Sequence, residues 1–434
     1  MKNLVPTLYK NYGLYINKFR AFPLVLDGLK IVERRILYTL YDIARDHFVK
    51  SAKAVGFCMG NFHPHGNSSI YETMVTMVGN GIAAGQGNWG SDIGIEETEP
   101  AAERYTEIKS TKEILDLAFE FIKYVDLEPL ELDPEPVFLP TKLPICLITK
   151  HNYQGIGFGS RTVIPSFKKD DLIKRLEWLL GYNPTEPFIK PINDGKLISP
   201  KEEILKLLTT GEAKLDYEGI YQKDDKSITV RSLPPSKSFS TLFSSFKKEI
   251  EVEKSLGLTD ESCGRDGTKV RFTILRPRIL KMETLEKKMK KLLLGGITYE
   301  CNMCDVEGKV VLVSVDKMLL LVYHNYKQVV EKYLKTNINV LTEKIQELKL
   351  IQLIKSVLPG FLQQFPDNPD LLITNISTAT SIPVEKIKEL FEKFNINRLL
   401  KVKVDIENVE IDRGQYETNL SNLDSFIWDK KYKI

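Results

Sequence analysis

The residues best suited to nucleophilic chemistry are the neighbours Arg104 and Tyr105, in the run AAERYTEIKS. A free tyrosine phenol has a pKa of about 10. To attack a phosphodiester at neutral pH, it needs a proton acceptor and positive charge close to the phosphorus. Arg104 can offer a forked pair of donors to phosphate oxygens. An Arg-Tyr pair is nevertheless commonplace, and alone it favours a structural role.

Two histidines could assist such a reaction. His63 and His65 flank Pro64 in the turn before a predicted helix, and a helix N-terminus attracts phosphate. Histidines in such turns are more often surface residues or hydrogen-bonded core residues. The pair therefore gains a chemical interpretation only from the sequence around it.

The first 140 residues are predicted to be mostly helical, and they must position these side chains. Apolar residues recur at helical spacing in residues 29–45 and again after Gly66, with a short helix over residues 50–60 between them. We expect Asn67 to cap the third helix. A glycine-rich turn follows at Gly85–Ser91. This order predicts a winged helix-turn-helix, a fold that places its second helix in a DNA groove.

The rest of the chain predicts two further domains. Residues 141–322 read as an α/β domain, and from Val329 to Leu358 apolar residues alternate at spacings of four and three, a coiled-coil seam. About 30 residues at about 1.5 Å each make an arm of roughly 45 Å, which Pro359 is expected to end. A long amphipathic helix packed on its own core is an equal alternative. The strands and helices predicted for the α/β domain include Ser227–Ser232, Lys269–Leu275, Val310–Val315, Lys169–Leu180 and Met282–Leu294.

Composition fits a multidomain α+β protein of 434 residues, with predicted domains at 1–140, 141–322 and 323–434. The net charge is only +3, but it is unevenly distributed. Residues 1–60 hold ten Lys and Arg against four Asp and Glu, whereas residues 92–136 hold four against fourteen. A basic N-terminal region suits a phosphate-binding face. It is equally typical of a solvated helix surface.

The few cysteines and the absence of recognisable targeting signals predict an intracellular protein. The five cysteines are few and scattered, which argues against a disulfide framework. Cys301 and Cys304 form one CxxC, which is interpreted as structural because a zinc site needs about four ligands. The sequence contains neither a signal peptide nor a run of apolar residues of membrane-spanning length. We therefore expect a cytoplasmic protein with no membrane association.

Five segments that surround these residues resemble the breakage-reunion A subunit of bacterial type IIA topoisomerases, DNA gyrase and topoisomerase IV. They occur in the order RAFPLVLDGLKIVERRILY (Arg20–Tyr38), KSAKAVG (Lys50–Gly56), GNFHPHGNSSIYET (Gly60–Thr73), GQGNWGS (Gly85–Ser91) and AAERYTE (Ala101–Glu107). A weaker resemblance continues through Gly155–Pro165, like the intercalating hairpin of the family, and Leu258–Ile274, like a strand of its tower domain. The long helix then corresponds to the coiled-coil arm of the family's C-gate.

The resemblance implies a role for each matching catalytic residue. Tyr105 would form the covalent 5′-phosphotyrosyl bond, and Arg104 would support the scissile phosphate. Arg20 matches an arginine that reaches into the active site to help cleavage. One of His63 and His65 would lie near the nucleophile, as a polar donor or proton relay.

The resemblance also implies residues that contact DNA or drugs. Ile156 matches a hydrophobic wedge that enters a base step and bends DNA. Ser68 and Glu72 match the serine and acidic residue through which the family binds quinolones by a water–metal bridge. Lys30, Arg34 and Arg35 match residues that hold the DNA backbone. Lys53, Ser68 and Arg161 are further expected DNA contacts.

Some features depart from the family pattern. Glu103 stands where the family has a small or apolar residue, and Arg161 where it has methionine. The segment Ile93–Pro100 also differs from the family, and the sequence does not explain why carboxylates surround Tyr105. The apparent lack of a C-terminal DNA-wrapping domain and the short coiled coil resemble the compact subunits of tailed bacteriophages.

No nucleotide-binding motif and no acidic metal cluster is recognisable; Asp405 and Glu407 have suitable spacing but lie in a polar tail. The resemblance therefore implies that Mg²⁺ and ATP are both bound by a partner subunit of B type. The predicted function is the DNA-cleaving subunit of an ATP-dependent type IIA topoisomerase, a homodimer acting on double-stranded DNA. Relaxation or decatenation is favoured over supercoiling. The alternative is a non-catalytic DNA-clamping scaffold of the same fold.

Overall fold

The computed structural model describes residues 4–90, 98–238, 240–242, 244–245, 257–260, 272–275, 281–365, 368–394, 396–402 and 404–432. Cys263, most of the segment Ile93–Pro100 and the middle of Leu258–Ile274 lie outside the described residues. The chain divides into two compact units, residues 1–326 and 327–433. The predicted boundary at residue 140 lies inside the first unit.

Three helices form the N-terminal core of the first unit. They span Ile31–Ile43, Ser51–Asn61 and Asn67–Gly79, and each packs against the other two. Their apolar residues recur at helical spacing, so each helix buries one face. The fully buried side chains between them include Ile36, Leu37, Leu40, Ile70, Met74 and Met77.

A three-stranded antiparallel sheet lies beside these helices. Its central strand, Glu107–Ser110, pairs with Val49–Lys50 on one side and Ala83–Gln86 on the other. Ile108 in the central strand is fully buried. Because Glu107 begins this strand, the sheet fixes the chain two residues after Tyr105.

The helix cap predicted at Asn67 is wrong by one residue. Gly66 is the N-cap, in extended conformation, and Asn67 is the first helical residue. The Ser69 hydroxyl donates to the Gly66 carbonyl at 2.7 Å. A glycine suffices here because the preceding turn already fixes the direction in which the helix begins.

Two larger antiparallel sheets follow in the first unit. One has five strands in the order Tyr153–Ile156, Arg161–Ile164, Leu294–Glu300, Glu212–Glu218 and Lys196–Leu197. The other has four, in the order Tyr221–Lys223, Ser227–Val230, Phe272–Leu275 and Gly257–Asp260. Helix Met282–Leu292 packs on the second sheet through Leu285, Met289 and Leu293. This part of the chain is the α/β region that the sequence pattern indicates.

The strand predicted over Val310–Val315 ends earlier than expected. It spans Val310–Leu312, and Val315 begins the long helix. Ser314 causes the change, because its hydroxyl accepts a hydrogen bond from the Lys317 backbone N–H at 3.1 Å. This is the contact that a serine makes at a helix N-terminus.

Helix Val315–Gln364 continues into the second unit, where it packs antiparallel to Ile406–Ser421. The Lys349 ammonium lies 3.2 Å from the Glu410 carboxylate, and nearer the other end the Tyr333 and Tyr416 rings are 5.9 Å apart. The seam residues Leu341, Ile345 and Leu348 cluster with Val409. Part of the predicted seam is therefore filled by the same chain, as the packed-helix alternative proposes. Asp405 caps the second helix by accepting from the Asn408 N–H at 3.4 Å.

Pro359 does not end the long helix, so that prediction is wrong. The helix continues to Gln364 with the proline inside it. A proline removes one backbone hydrogen bond and strains the preceding turn. Phe361 and Leu362 pack on the hydrophobic cluster around Ile354 and Leu358, and this burial offsets the lost bond.

The remaining elements connect these parts. Within the described residues, no helix has both the length and the apolar character needed to cross a bilayer. The other helices are Leu4–Ile16, Asn17–Ala21, Lys112–Ala118, Ile122–Tyr124, Ile145–Leu147, Lys169–Leu179, Lys201–Thr210, Pro369–Thr380, Val384–Lys393, Ile396–Lys401, Leu423–Phe426 and Ile427–Lys431. The other strands are Leu127–Glu128 with Glu135–Pro136, and Asn302–Cys304 with Val310–Leu312.

Candidate active site

Tyr105 projects from a loop that is anchored on both sides. Its side chain is 64% exposed, whereas the next residue, Thr106, is completely buried. The Thr106 hydroxyl donates to the Ser51 hydroxyl at 2.8 Å and lies 2.9 Å from the Tyr71 hydroxyl. The loop thus presents a tyrosine to the surface from a fixed backbone.

Arg104 contacts the nucleophile candidate directly. Its guanidinium lies 4.6 Å from the centroid of the Tyr105 ring, a cation–π distance. Among the described residues, the Tyr105 hydroxyl has no hydrogen-bond partner. A positive group and an unoccupied phenol oxygen are therefore presented together.

The same loop is tied to the helix Ser51–Asn61. The Ser51 and Ala52 backbone N–H groups, at the first turn of that helix, donate to the carbonyls of Thr106 and Glu103 at 3.0 and 3.1 Å. The loop thereby satisfies N–H groups that a helix N-terminus leaves without partners. Gly87 packs against the Tyr105 carbonyl, and its φ of +98° is one that a side chain would strain.

The two histidines lie at the other end of this helix. The backbone N–H of His63 donates to the Cys58 carbonyl at 2.8 Å, in the last turn. Helix Ser51–Asn61 has 11 residues, which corresponds to roughly 16 Å at about 1.5 Å per residue. Among the described residues, neither histidine contacts Tyr105 within one chain, so the predicted approach stays a prediction.

His63 is buried and its ring is fixed. Nδ1 lies 2.8 Å from the Arg35 guanidinium, and the ring makes an edge contact with His65 at 4.5 Å between centroids. Burial, together with the charges of Arg35, His65 and Arg20, lowers the pKa of His63 to about 4. His63 is thus neutral at physiological pH.

His65 is less buried and faces an acidic residue. Its Nε2 lies 3.5 Å from both the Glu131 carboxylate and the Tyr15 hydroxyl. Tyr15 itself donates to Glu131 at 3.1 Å. Burial alone would raise the pKa of Glu131, but hydrogen bonds from Arg35 and Tyr15 leave it below the usual value.

Arg34 and Arg35 do not fit the predicted role in holding the DNA backbone, because both are buried and ion-paired. The Arg34 guanidinium lies 2.6 Å from the Asp27 carboxylate, which is fully buried. The Arg35 guanidinium lies 2.6 Å from both Glu131 and Glu135. Most of their donors are used inside the protein, so these arginines hold the core together, and we correct their assignment accordingly.

The other predicted basic contacts are accessible to different degrees. Arg20 and Lys53 are exposed, on helices Asn17–Ala21 and Ser51–Asn61. Lys30 is half-buried and donates to the Gln154 carbonyl at 2.7 Å. Arg161 is exposed but is paired with Glu300 at 3.0 Å. Arg20 and Lys53 are therefore the two with the most accessible charge.

Two further predicted sites lie on exposed surfaces. Ser68 and Glu72 are both exposed on helix Asn67–Gly79, one turn apart on the same face. Ile156 is 88% exposed at the end of a hairpin strand.

Comparison with known proteins assigns the family. Residues 20–430 match the family of the A subunits of DNA gyrase and topoisomerase IV. The chain belongs to this family. The matched range includes all of the candidate site residues named above except Tyr15, which lies in helix Leu4–Ile16.

Curated relatives agree with this membership. The chain is 30% identical to the A subunit of DNA topoisomerase 4 from Haemophilus influenzae over 65% of its own length and 40% of the relative's. It is 28% identical to the DNA gyrase A subunit of Dehalogenimonas lykanthroporepellens over 90% and 49%, and 25% identical to that of Lawsonia intracellularis over 98% and 54%. The chain spans about half the length of these relatives.

Sequence reasoning missed the acidic members of this candidate site. Asp27, Glu131 and Glu135 hold the arginines, and Tyr15 joins them. A signal was present, since a basic N-terminal region and an acidic stretch between residues 92 and 136 are complementary. Glu107, one of the unexplained carboxylates, pairs with Lys50 at 2.8 Å.

One group of side chains has the composition of a metal site. Ligand atoms of His63, His65 and Glu131 lie within 4.8 Å of one another. The Arg35 guanidinium already contacts His63 and Glu131 at 2.8 and 2.6 Å. A second cation at this position would be repelled, so these residues do not fit Mg²⁺.

Proposed function

We propose that this chain is the DNA-cleaving subunit of a type II DNA topoisomerase and that Tyr105 is its nucleophile. One observation carries the proposal: an exposed tyrosine with a guanidinium over its ring, on an anchored loop, in a chain of the gyrase and topoisomerase IV A-subunit family. The relatives are named as topoisomerase and gyrase subunits. That shared family is the reason to assign this chemistry to a common Arg-Tyr pair.

In the proposed reaction, the Tyr105 hydroxyl oxygen attacks a backbone phosphorus. The P–O3′ bond breaks and a P–O bond to tyrosine forms, while the phenol proton leaves to solvent and the 3′-oxygen gains a proton. Arg104 offsets the charge that develops on the phosphoryl oxygens. Since one phosphoester replaces another, the 3′-hydroxyl can reverse the step and rejoin the strand without ATP.

DNA would lie on the winged helix-turn-helix formed by the three N-terminal helices and their sheet. The N-terminus of helix Asn67–Gly79, with Ser68, suits a backbone phosphate. Lys53 and Arg20 add exposed positive charge, and Ile156 would enter a base step. We retain Lys30 and Arg161 as weaker contacts because each already has a protein partner.

The separation of Tyr105 from the histidine pair supports a composite site. Two copies related by a twofold axis can place Tyr105 of one beside Arg20, His63 and His65 of the other. Such symmetry also matches two antiparallel strands. We propose that the homodimer cuts each strand with one such site.

A partner subunit of B type would bind Mg²⁺ and ATP. The metal would supply positive charge at the phosphate and leaving oxygen. In this chain, the only described group with a metal-like composition is the one that Arg35 already occupies. The chain's own part is to position DNA and the tyrosine.

The test is to trap the covalent intermediate. Wild type, with a B-type subunit, Mg²⁺, ATP and supercoiled DNA, should yield linear DNA with protein on its 5′ ends after detergent. Tyr105→Phe should bind DNA equally well but yield no covalent complex. Tyr182→Phe, at a tyrosine that is 53% exposed elsewhere, is the matched control and should behave as wild type. If Tyr105→Phe relaxes DNA normally, the non-catalytic scaffold is the better description. For active wild type, assays of supercoiling, relaxation and decatenation test the predicted preference for the latter two over supercoiling.

A further inference from the structure

The orientation of Arg35 determines where His63 carries its proton. All polar hydrogens of an arginine side chain are donors, and it has no acceptor. The Arg35 nitrogen that lies 2.8 Å from His63 Nδ1 must therefore donate to it. Nδ1 can accept only when it has no proton, so the proton of the neutral ring is on Nε2.

Arg35 is itself held too firmly to turn away. Its Nε and one terminal nitrogen contact Glu135 at 2.8 and 2.6 Å, and the other terminal nitrogen contacts Glu131 at 2.6 Å. The guanidinium is fully buried, as is Glu135. Two carboxylates thus fix the fork and leave one N–H aimed at His63.

The surroundings of His63 favour the neutral ring from several sides. Arg35 on helix Ile31–Ile43 and Arg20 on helix Asn17–Ala21 disfavour a second positive charge, as does His65. Glu131 is the one group among these that favours it. Among the described residues, Nε2 has no hydrogen-bond partner, so its proton is available to a ligand.

We infer that Arg35, held by Glu131 and Glu135, is a positioning residue that fixes His63 as the Nε2–H tautomer. His63 then serves DNA cleavage as a hydrogen-bond donor to a phosphate oxygen and not as a base. The donor role rests on the proposed function, whereas the tautomer does not. A preset N–H donor needs no reorganisation when charge develops on the phosphoryl oxygens.

The tautomer can be measured on the full chain without DNA or partner. Long-range ¹⁵N–¹H spectra of ¹⁵N-histidine-labelled protein resolve the two ring nitrogens, and the sequence has five histidines. His63→Gln identifies the relevant signals. At neutral pH we expect His63 with an unprotonated Nδ1 and a protonated Nε2. A protonated Nδ1 overturns the inference, whatever cleavage assays show.

A variant pair tests the positioning role. The double variant Arg35→Met with Glu135→Gln removes the guanidinium that contacts His63 and does not leave Glu135 as a buried unpaired charge. The single variant Glu135→Gln is the control, because it keeps Arg35 against His63. The double variant should show both His63 tautomers and form covalent complex about tenfold more slowly at pH 8, a smaller loss than the roughly 100-fold that deleting such a donor causes.

The pH profile separates a donor from a base. Without Arg35, a fall from pH 8 to 6 should protonate His63, restore N–H on Nε2 and raise the variant's rate relative to wild type. If His63 were a base, the same ratio would fall. An unchanged ratio together with an unchanged tautomer would reduce Arg35 to a structural residue. Loss of all cleavage in Tyr105→Phe is independent of these outcomes.

Discussion

Tyr105 and Arg35 show that residue type alone does not assign a role in this site. Both belong to segments that resemble the family, yet Tyr105 is 64% exposed and Arg35 is 1% exposed. The sequence pattern predicts which residues surround the chemistry, and that assignment stays a prediction. It could not show which arginines face DNA, because the ion pair between Arg35 and Glu135 joins residues 100 positions apart. No local pattern carries such information.

The buried pair of Asp27 and Arg34 should contribute strongly to stability. Asp27 also accepts from the Leu29 and Leu139 backbone N–H groups, both at 3.0 Å. Asp27→Ala leaves a buried arginine without its counter-ion, and we expect a loss of about 3–5 kcal/mol in the free energy of unfolding. Urea denaturation followed by circular dichroism measures it. Glu307→Ala, at an exposed pair with Lys309, is the control and should leave the curve unchanged. An equal effect in both variants would contradict the prediction.

His63 makes stability depend on pH in a defined window. Its pKa is about 4 in the folded chain against 6.5 for an ordinary histidine. The unfolded chain takes up this proton first, so stability is full above about pH 6.5 and falls as pH decreases toward about 4. The loss should reach roughly 2 kcal/mol at pH 5. Comparing the urea midpoints of wild type and His63→Gln between pH 7 and 5 isolates this contribution, since the other titrating groups affect both proteins equally. If the urea midpoints of the two proteins changed equally with pH, the prediction for His63 would be contradicted.

Ser68 and Glu72 predict a response to quinolones. Both side chains are exposed and one turn apart, so a drug-bound metal could reach both through water. Ciprofloxacin should stimulate cleavage by wild type, and Ser68→Ala with Glu72→Ala should raise the drug concentration required by about tenfold, equivalent to about 1.4 kcal/mol. Thr76→Ala, one turn further along the same helix, is the control. No drug-stimulated breaks with wild type at high ciprofloxacin would defeat the idea.

At the scale of elements, periodicity predicted which segments are helices and strands better than where they end. Helices Ile31–Ile43 and Ser51–Asn61 lie within one or two residues of expectation. Pro359 and Asn67 failed because an end depends on what the next turn contacts. A proline stays inside a helix when residues beyond it pack on a hydrophobic cluster, and a helix begins early when the preceding turn is already fixed.

The hairpin that carries Ile156 should bend DNA without supporting the fold. Its strands, Tyr153–Ile156 and Arg161–Ile164, pair along their whole length, and Asn17 accepts from the Phe158 N–H at 2.6 Å. The scaffold is thus rigid while Ile156 itself is 88% exposed. Ile156→Ala should reduce DNA bending, measured by energy transfer between dyes at the duplex ends, and leave the unfolding midpoint unchanged. Val306→Ala, at a valine that is 64% exposed, should alter neither. Equal bending by wild type and Ile156→Ala would remove the wedge role.

At the scale of the whole molecule, the proposed site would have its two halves at opposite ends of helix Ser51–Asn61 in one chain. The order of the motifs along the chain could not show this, because it does not give the distance between them in space. In the proposed dimer, the twofold axis would bring them together across copies. Within one chain, Tyr105 would act without His63, and the anchoring of its loop to Ser51 and Ala52 leaves little freedom for it to move closer.

Mixed dimers test this arrangement. Two differently tagged chains, one carrying Tyr105→Phe and the other His63→Ala, are co-expressed and the mixed dimer is purified through both tags. If sites form across copies, one site combines an intact Tyr105 with an intact His63, and the dimer should nick one strand at near the wild-type rate per site. The two parent homodimers have no such combination. If each site lies within one chain, both sites of the mixed dimer are defective and nicking should stay at the level of the His63→Ala homodimer. The readout is the amount of nicked circular DNA with covalently bound protein, compared with the linear product of wild type. Sites formed across copies give the mixed dimer single-strand breaks, where wild type gives double-strand breaks.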